Sequence, residues 1–259
     1  MVAAGVVDEV SGACSLLGVS CLLDSGALQA YAAIYAYTSL SVCIGHFGLI
    51  RLKLTGLVQS VHAGLAERHN RERGIDAVTA LAVRFFQLEF MDSPATTPPG
   101  FERLDFGITL GTIFSRGSCP SVVPESAMAS VDIRLLQGQS SADVLDRVRE
   151  QIQVVEQKLP RTRIEMKVTV GIHGASIPKD HPLANHAKDY TEALTGRCWE
   201  TAGAGPANEG YMLIGAGIPT LCVFGPTGGN LHAPDEWVEI DSLPATVAIF
   251  AGMIREYLN

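Results

Sequence analysis

Closely paired cysteines are missing from this sequence. Its six cysteines, Cys14, Cys21, Cys43, Cys119, Cys198 and Cys222, are scattered along 259 residues with no C-x-x-C spacing. That excludes a Cys-type zinc ribbon and disfavours a disulfide framework. The apolar neighbours in "SVCIG" and "TLCVF" instead predict buried, reduced thiols, which suit a cytoplasmic protein. Charge is also sparse, at 18% of residues, and positive charge is the scarcer kind: 19 Lys and Arg against 27 Asp and Glu leave a formal net charge of −8. A field of that sign disfavours nucleic acid and anionic membrane as partners. The densest basic run, "RHNRERG" at 68–74, reads as a solvated loop. No charged stretch followed by an apolar core opens the chain, so no signal peptide is read. One uncharged run, 25–50, is long enough to cross a bilayer. However, Gln29, the polar group Tyr35, Tyr37, Thr38 and Ser39, and the glycines at 45 and 48 fit buried strands and turns better than a membrane span.

Apolar residues are plentiful, at 47%, and the length is ample for a buried core in one large domain or two smaller ones. "SVCIGHFGLIRLKLTGL" (41–57) reads as strand, turn, strand, with period-two alternation in its second half. "GIDAVTALAVRFFQLEF" (74–90) has helical spacing with Asp76 near its start. "LDFGITLGTIF" (104–114) and "SAMASVDIRLL" (126–136) are strand candidates. "SSADVLDRVREQIQVVEQKL" (140–159) is the clearest helix, with Ser or Asp available as N-cap. "TRIEMKVTV" (162–170) alternates as a strand. Residues 46–170 therefore read β-α-β-β-α-β, the ferredoxin-like order. Helices at 183–196 and about 208–216, the strand "IPTLCVF" and a terminal helix follow. That last part has no complete sheet of its own. The reading is an α/β chain with a discontinuous domain, 1–45 and 171–259, interrupted by an insert at 46–170. The opening "MVAAGVVDEVSGACSLLG" runs straight into a strand-like stretch, as a start made within a domain.

Five segments, in order, carry a resemblance: "VVDEVSGA" (6–13), "VQSVHAGLAERHNRERGIDAV" (58–78), "SVVPESAMASVDIR" (121–134), "GPANEGYMLIGAGIPTLCVFGP" (205–226) and "GNLHAPDEWVEIDSL" (229–243). Together they resemble the two-metal aminoacylase, carboxypeptidase G, acetylornithine deacetylase and succinyl-diaminopimelate desuccinylase superfamily. The resemblance implies a zinc-peptidase-like catalytic domain, incomplete at its N-terminus, with the insert as a ferredoxin-like lid and homodimerisation domain. It also implies two zinc or cobalt ions and hydrolysis of amide bonds in N-acyl amino acids or small peptides by metal-bound water.

The same resemblance assigns roles by position. His232 matches the last metal-binding histidine; a nearby carboxylate, Asp235 or Glu236, would fix its tautomer. Asp8 and Glu9 match a pair in which the first acid takes a proton from metal-bound water and the second binds metal. A second register makes Glu9 the base and puts Val10 at the ligand position; the first is preferred because Val10, Ser11 and Gly12 then fall under the family's glycine-rich turn. As a bland alternative, the pair caps the next helix. His62 matches a lid histidine that stabilises an oxyanion in the partner subunit, or else caps a turn. Arg134 matches an arginine that grips a substrate carboxylate, or is a strand-end charge. Asn208 lines the pocket or caps a helix.

Some of the family's pattern is missing. No upstream His-x-Asp or bridging Asp precedes Asp8, "AAIYAYTSLSV" offers Tyr37 and Thr38 where an acidic ligand is expected, and Ser121 stands where asparagine is usual. His46, His69, His173, His181 and His186 match no ligand position and read as surface or structural. Recognisable positions supply two ligands, Glu9 and His232, fewer than a paired metal centre needs. Two readings follow: a metal-dependent amidohydrolase, and a non-catalytic member that dimerises or binds a ligand.

Overall fold

A computed structural model of the chain describes residues 3–6, 17–39, 41–65, 76–82, 97–115, 119, 121–159, 161–231 and 233–257. Its elements in chain order begin with α1 (Val19–Asp24), β1 (Ala33–Ala36), β2 (Val42–His46) and β3 (Gly48–Leu57). A helical segment at 77–82 precedes β4 (Gly107–Ser115), β5 (Ser126–Leu135), α2 (Ser141–Lys158), β6 (Arg163–Ile172) and β7 (Ala175–Ser176). Then come α3 (Pro182–Thr195), β8 (Thr201–Ala204), α4 (Gly210–Gly215), β9 (Thr220–Phe224), β10 (Gly228–Gly229), β11 (Trp237–Val238) and α5 (Ser242–Glu256). The chain divides into two units: Met1–Gly48, Thr97–Asp105 and Ile172–Asn259 in the first, Leu49–Thr96 and Phe106–Gly171 in the second.

Unit 2 is built on a four-stranded sheet in the order β4-β5-β3-β6. Alternation along β5 buries Ala127, Ala129, Val131, Ile133 and Leu135 and turns Ser126, Met128, Ser130, Asp132 and Arg134 the other way. In β3, Ile50, Leu52 and Leu54 are buried while Arg51 and Lys53 are exposed. A one-residue slip would exchange the two faces, so this pattern fixes the register. Helix α2 covers the apolar face with Val144, Val148, Ile152 and Val155, joined by Ala77 and Leu81 from the other helical segment. Each such side chain contributes roughly 1.5–3 kcal/mol on burial. The cap expected before α2 is present: Ser140 is extended and its Oγ accepts from the Asp143 amide at 3.3 Å. Asp76 likewise accepts from the Thr79 amide at 2.6 Å and starts the 77–82 segment.

Unit 1 holds the second sheet, β1-β9-β2-β7, with β8 paired to β2 as well. Strand β1 runs parallel to β9, and β2 parallel to β8. Its core gathers Ile44, Phe47, Phe101, Leu221 and Phe224, all at most 2% exposed. Phe47 stacks on Phe101 with ring centroids 5.6 Å apart, tying the 97–105 segment to the end of β2. Helix α3 begins with Pro182 in its first turn and ends at Gly196 with φ 67°, the left-handed cap that glycine favours. Among the described residues no helix is long and apolar enough to cross a membrane.

The cysteines depart from expectation. Cys43 and Cys222 are buried, but Cys21, Cys119 and Cys198 are exposed. The apolar neighbours of Cys43 and Cys222 lie in central strands. Cys21 sits in the short helix α1, and Cys119 and Cys198 lie outside regular elements, so local hydrophobicity does not carry them inside. Cys14 lies outside the described residues.

Candidate active site

The hairpin after β9 is held to its surroundings by a set of close backbone and side-chain contacts. Gly225 passes so close to the end of β1 that a Cβ would enter the Tyr37 carbonyl oxygen, so glycine is required there. The hairpin base is closed by three hydrogen bonds and braced by Arg197. The Glu239 amide donates to Thr227 O at 2.8 Å, the Thr227 amide to Ser242 Oγ at 3.0 Å, and Ser242 Oγ to Glu239 O at 2.6 Å. Arg197, just beyond the cap of α3, donates from Nη1 to Thr227 Oγ1 at 3.2 Å and lies 3.5 Å from Glu239 Oε2. Above this base Gly228 pairs with Val238 and Gly229 with Trp237. At the tip, Asn230 (φ 55°) and Asp235 (φ 62°) take left-handed conformations, which Asn and Asp tolerate best among non-glycine residues. The Ala233 amide closes the turn onto Asn230 O at 3.0 Å. His232, like Asp8 and Glu9, lies outside the described residues.

Tyr37, at the place where an acidic ligand is expected, donates its phenol to Glu236 Oε1 at 3.3 Å. The end of β1 is thereby linked to the same hairpin. Asn208 is 6% exposed, and its amide makes one hydrogen bond at each end. Nδ2 donates to Cys222 O at 2.5 Å and Oδ1 accepts from the Gly210 amide at 2.9 Å, which fastens the start of α4 to β9. Glu209, beside it, is fully buried. His46 at the end of β2 is also fully buried, with Nδ1 2.8 Å from Phe47 O. Bonded to a carbonyl, Nδ1 carries the proton, and Nε2 is buried with no hydrogen-bond partner among the described residues. Burial, outweighing the Phe47 and Asn208 backbone contacts, holds its pKa below the ordinary imidazole value. His46 is thus a structural, neutral histidine.

The other two candidates stand in unit 2. His62 is exposed, bridges backbone to Val122, and accepts from the Gly64 amide on Nδ1 at 3.1 Å. Arg134 on β5 donates from Nε to Asp132 Oδ1 at 2.6 Å and from Nη2 to Oδ2 at 3.3 Å. His62 and Arg134 share no hydrogen bond.

A cavity of about 820 Å³ in unit 1 is lined by Tyr31, Tyr35, Leu213, Ile218, Phe250 and Met253 among others. Large apolar cavities are common ligand sites. Among the described residues no Asp, Glu, His, Lys or Arg lines it, so they bring no charged acid-base pair to it. Among the described residues no three His, Cys, Asp or Glu side chains gather where they could hold a metal ion. The described donor set alone therefore does not fit a two-metal centre.

The sequence matches the profile of Peptidase family M20/M25/M40 over residues 6–256. The chain belongs to that family. The solved structures agree with the M20 assignment at the level of fold. Aminopeptidase PepT from Bacillus cereus superposes with a TM-score of 0.75 at 18% identity, over 98% of this chain and 63% of that one. A tripeptidase from Staphylococcus aureus gives 0.75 at 17%, over 96% and 62%. A dinuclear metal binding M20 peptidase from Bacillus subtilis gives 0.63 at 16%, over 91% and 60%. The M20 chain described here thus spans about three fifths of the length of these structures. No curated protein matches the sequence. The contacts of Arg197 and Tyr37 were not legible as site features. An isolated Arg after a Gly cap carries no motif, and Tyr37 stood out only as a missing carboxylate.

Proposed function

We propose that this M20 chain derives from, and is built as, a metal-dependent hydrolase of amide bonds in N-acyl amino acids or small peptides. The family match across 6–256 carries the reading. In it, Asp8 is the proton-shuttling acid, Glu9 and His232 are metal ligands for zinc or cobalt, and His62 stabilises the oxyanion. Arg134 receives the substrate carboxylate and Asn208 lines the pocket. The match of "GNLHAPDEW" to the family's pattern supports the ligand role of His232, with Asp235 or Glu236 as the carboxylate that would fix its tautomer. Unit 2 is then the inserted ferredoxin-like lid, a reading supported by the sheet order β4-β5-β3-β6 and by two helical segments on one face. Homodimerisation through this unit and residence in the cytoplasm complete the proposal.

One observation favours a second reading, a non-catalytic member that binds ligand or dimerises. Tyr37 occupies the expected place of a carboxylate ligand and points its phenol at Glu236. Metal analysis of the purified chain separates the two. Two bound zinc ions per chain, with hydrolysis of N-acetyl amino acids or dipeptides, are expected of the hydrolase. A metal-free chain that hydrolyses neither after zinc is supplied sinks that reading and leaves the second.

A further inference from the structure

Within an acidic chain, unit 2 presents a basic face. The strand alternation that buries Ile50, Leu52 and Leu54 directs Arg51 and Lys53 to the opposite side of the sheet. Arg134 lies on that side in β5, and Arg163 and Lys167 in β6. The carboxylates among them are Asp132 and Glu165, so five cations meet two anions in a chain of net charge −8. Both helical segments contribute to the core on the other face.

Two guanidiniums share one carboxylate at the centre. Arg51 Nε donates to Asp132 Oδ2 at 3.1 Å, while Arg134 holds Oδ1 and Oδ2 as described above. Arg163 is matched by Glu165 at 3.1 Å. A guanidinium has five N–H donors. The three bonds to Asp132 leave four on Arg51 and three on Arg134 without a partner among the described residues. Those groups are reachable, since the Arg51 and Arg134 side chains are 47% and 31% exposed. Asp132 cancels one charge and orients both guanidiniums. One ligand carboxylate satisfies a single fork. The second fork, with Lys53 two residues along the same strand face, remains for another anion.

We propose that Arg51 and Arg134, oriented by Asp132, form a paired guanidinium site that selects ligands carrying two carboxylates. The proposal rests on the reading above in which Arg134 receives a substrate carboxylate; Arg51 adds the specificity. Calorimetric binding of N-acetylaspartate and N-acetylalanine to the whole chain at low ionic strength tests it without requiring turnover. N-acetylaspartate is expected to bind about tenfold tighter, the order of one added charge-assisted contact. Arg51→Gln should abolish that preference and leave N-acetylalanine within about threefold, because a single carboxylate still has Arg134. Arg134→Gln should weaken both ligands, Arg51→Lys should keep part of the preference, and Lys167→Gln should keep nearly all. Equal affinities in the unsubstituted chain, no binding of either ligand, or a preference that survives in Arg51→Gln overturns the proposal. So does an Arg51→Gln effect on self-association alone, which would assign the face to a second copy of this acidic chain. Thermal melts of each variant separate lost binding from lost fold. Absence of hydrolysis with the preference intact would count against the hydrolase reading and leave the paired site standing.

Discussion

His46 shows how a single side chain can set a pH limit on the fold. Its ring is fully buried, Nδ1 donates to the Phe47 carbonyl and Nε2 has no hydrogen-bond partner among the described residues. A second proton would place a charge in a buried site where the Phe47 and Asn208 backbone contacts offset only part of the desolvation. Its folded pKa is lowered by burial, so the unfolded chain takes up the proton first as pH falls. The stability contributed by neutral His46 is therefore complete above the ordinary imidazole pKa of about 6.5 and declines below it. Urea midpoints at a series of pH values should fall across that window for the unsubstituted chain and fall less for His46→Phe. Equal slopes for both would refute the assignment. The buried thiols behave in the opposite sense: burial pushes Cys43 up to about 11 and Cys222 up as well, so neither has a thiolate near neutrality.

At the scale of elements, the hairpin after β9 and helix α2 represent two degrees of legibility. The helix expected over 140–159 is Ser141–Lys158, because cap, apolar stripe and length all lie within one local window. The strands 126–136 and 162–170 are seen as Ser126–Leu135 and Arg163–Ile172 for the same reason: a period of two is a local property. The hairpin's anchors lie far away in sequence. Tyr37 lies 199 residues from Glu236, and Arg197 is 30 from Thr227, separations that no local pattern encodes. The candidate site was legible mainly through motif resemblance. His232, Asp8 and Glu9 came from segment matches, whereas the bonds that occupy Asn208 depend on the fold bringing β9 against α4. Gly225 is where hairpin and β1 meet most tightly. Gly225→Ala should destabilise the chain by about 1–3 kcal/mol, the range for forcing a methyl into packed structure. Faster amide exchange at Thr227 and Glu239, whose N–H groups close the hairpin base, should accompany the loss. Retained stability with unchanged exchange would mean the backbone relaxes away from Tyr37 without effort.

For the whole molecule, composition supports enough apolar area for two cores. The structure has them: one around Leu52, Leu54, Ile133 and Val148, another around Ile44, Phe47, Leu221 and Phe224. The chain enters and leaves unit 2 twice, at Gly48–Leu49 and Gly171–Ile172 and around the Thr97–Asp105 segment, so neither unit is a single run of sequence. Units with their own cores unfold by their own contacts unless a large shared surface couples them. Leu54 and Leu221 are both fully buried, one in each core, which makes them a matched pair of probes. Truncation of either to alanine removes similar transfer energy and leaves a similar cavity, for an expected loss of about 2–5 kcal/mol. Native-state hydrogen exchange should report where that loss is felt. Leu54→Ala should speed exchange in β3, β4, β5 and β6 while β2 and β9 keep their protection, and Leu221→Ala should do the reverse. Uniform loss of protection throughout the chain in both variants would show a single cooperative unit instead.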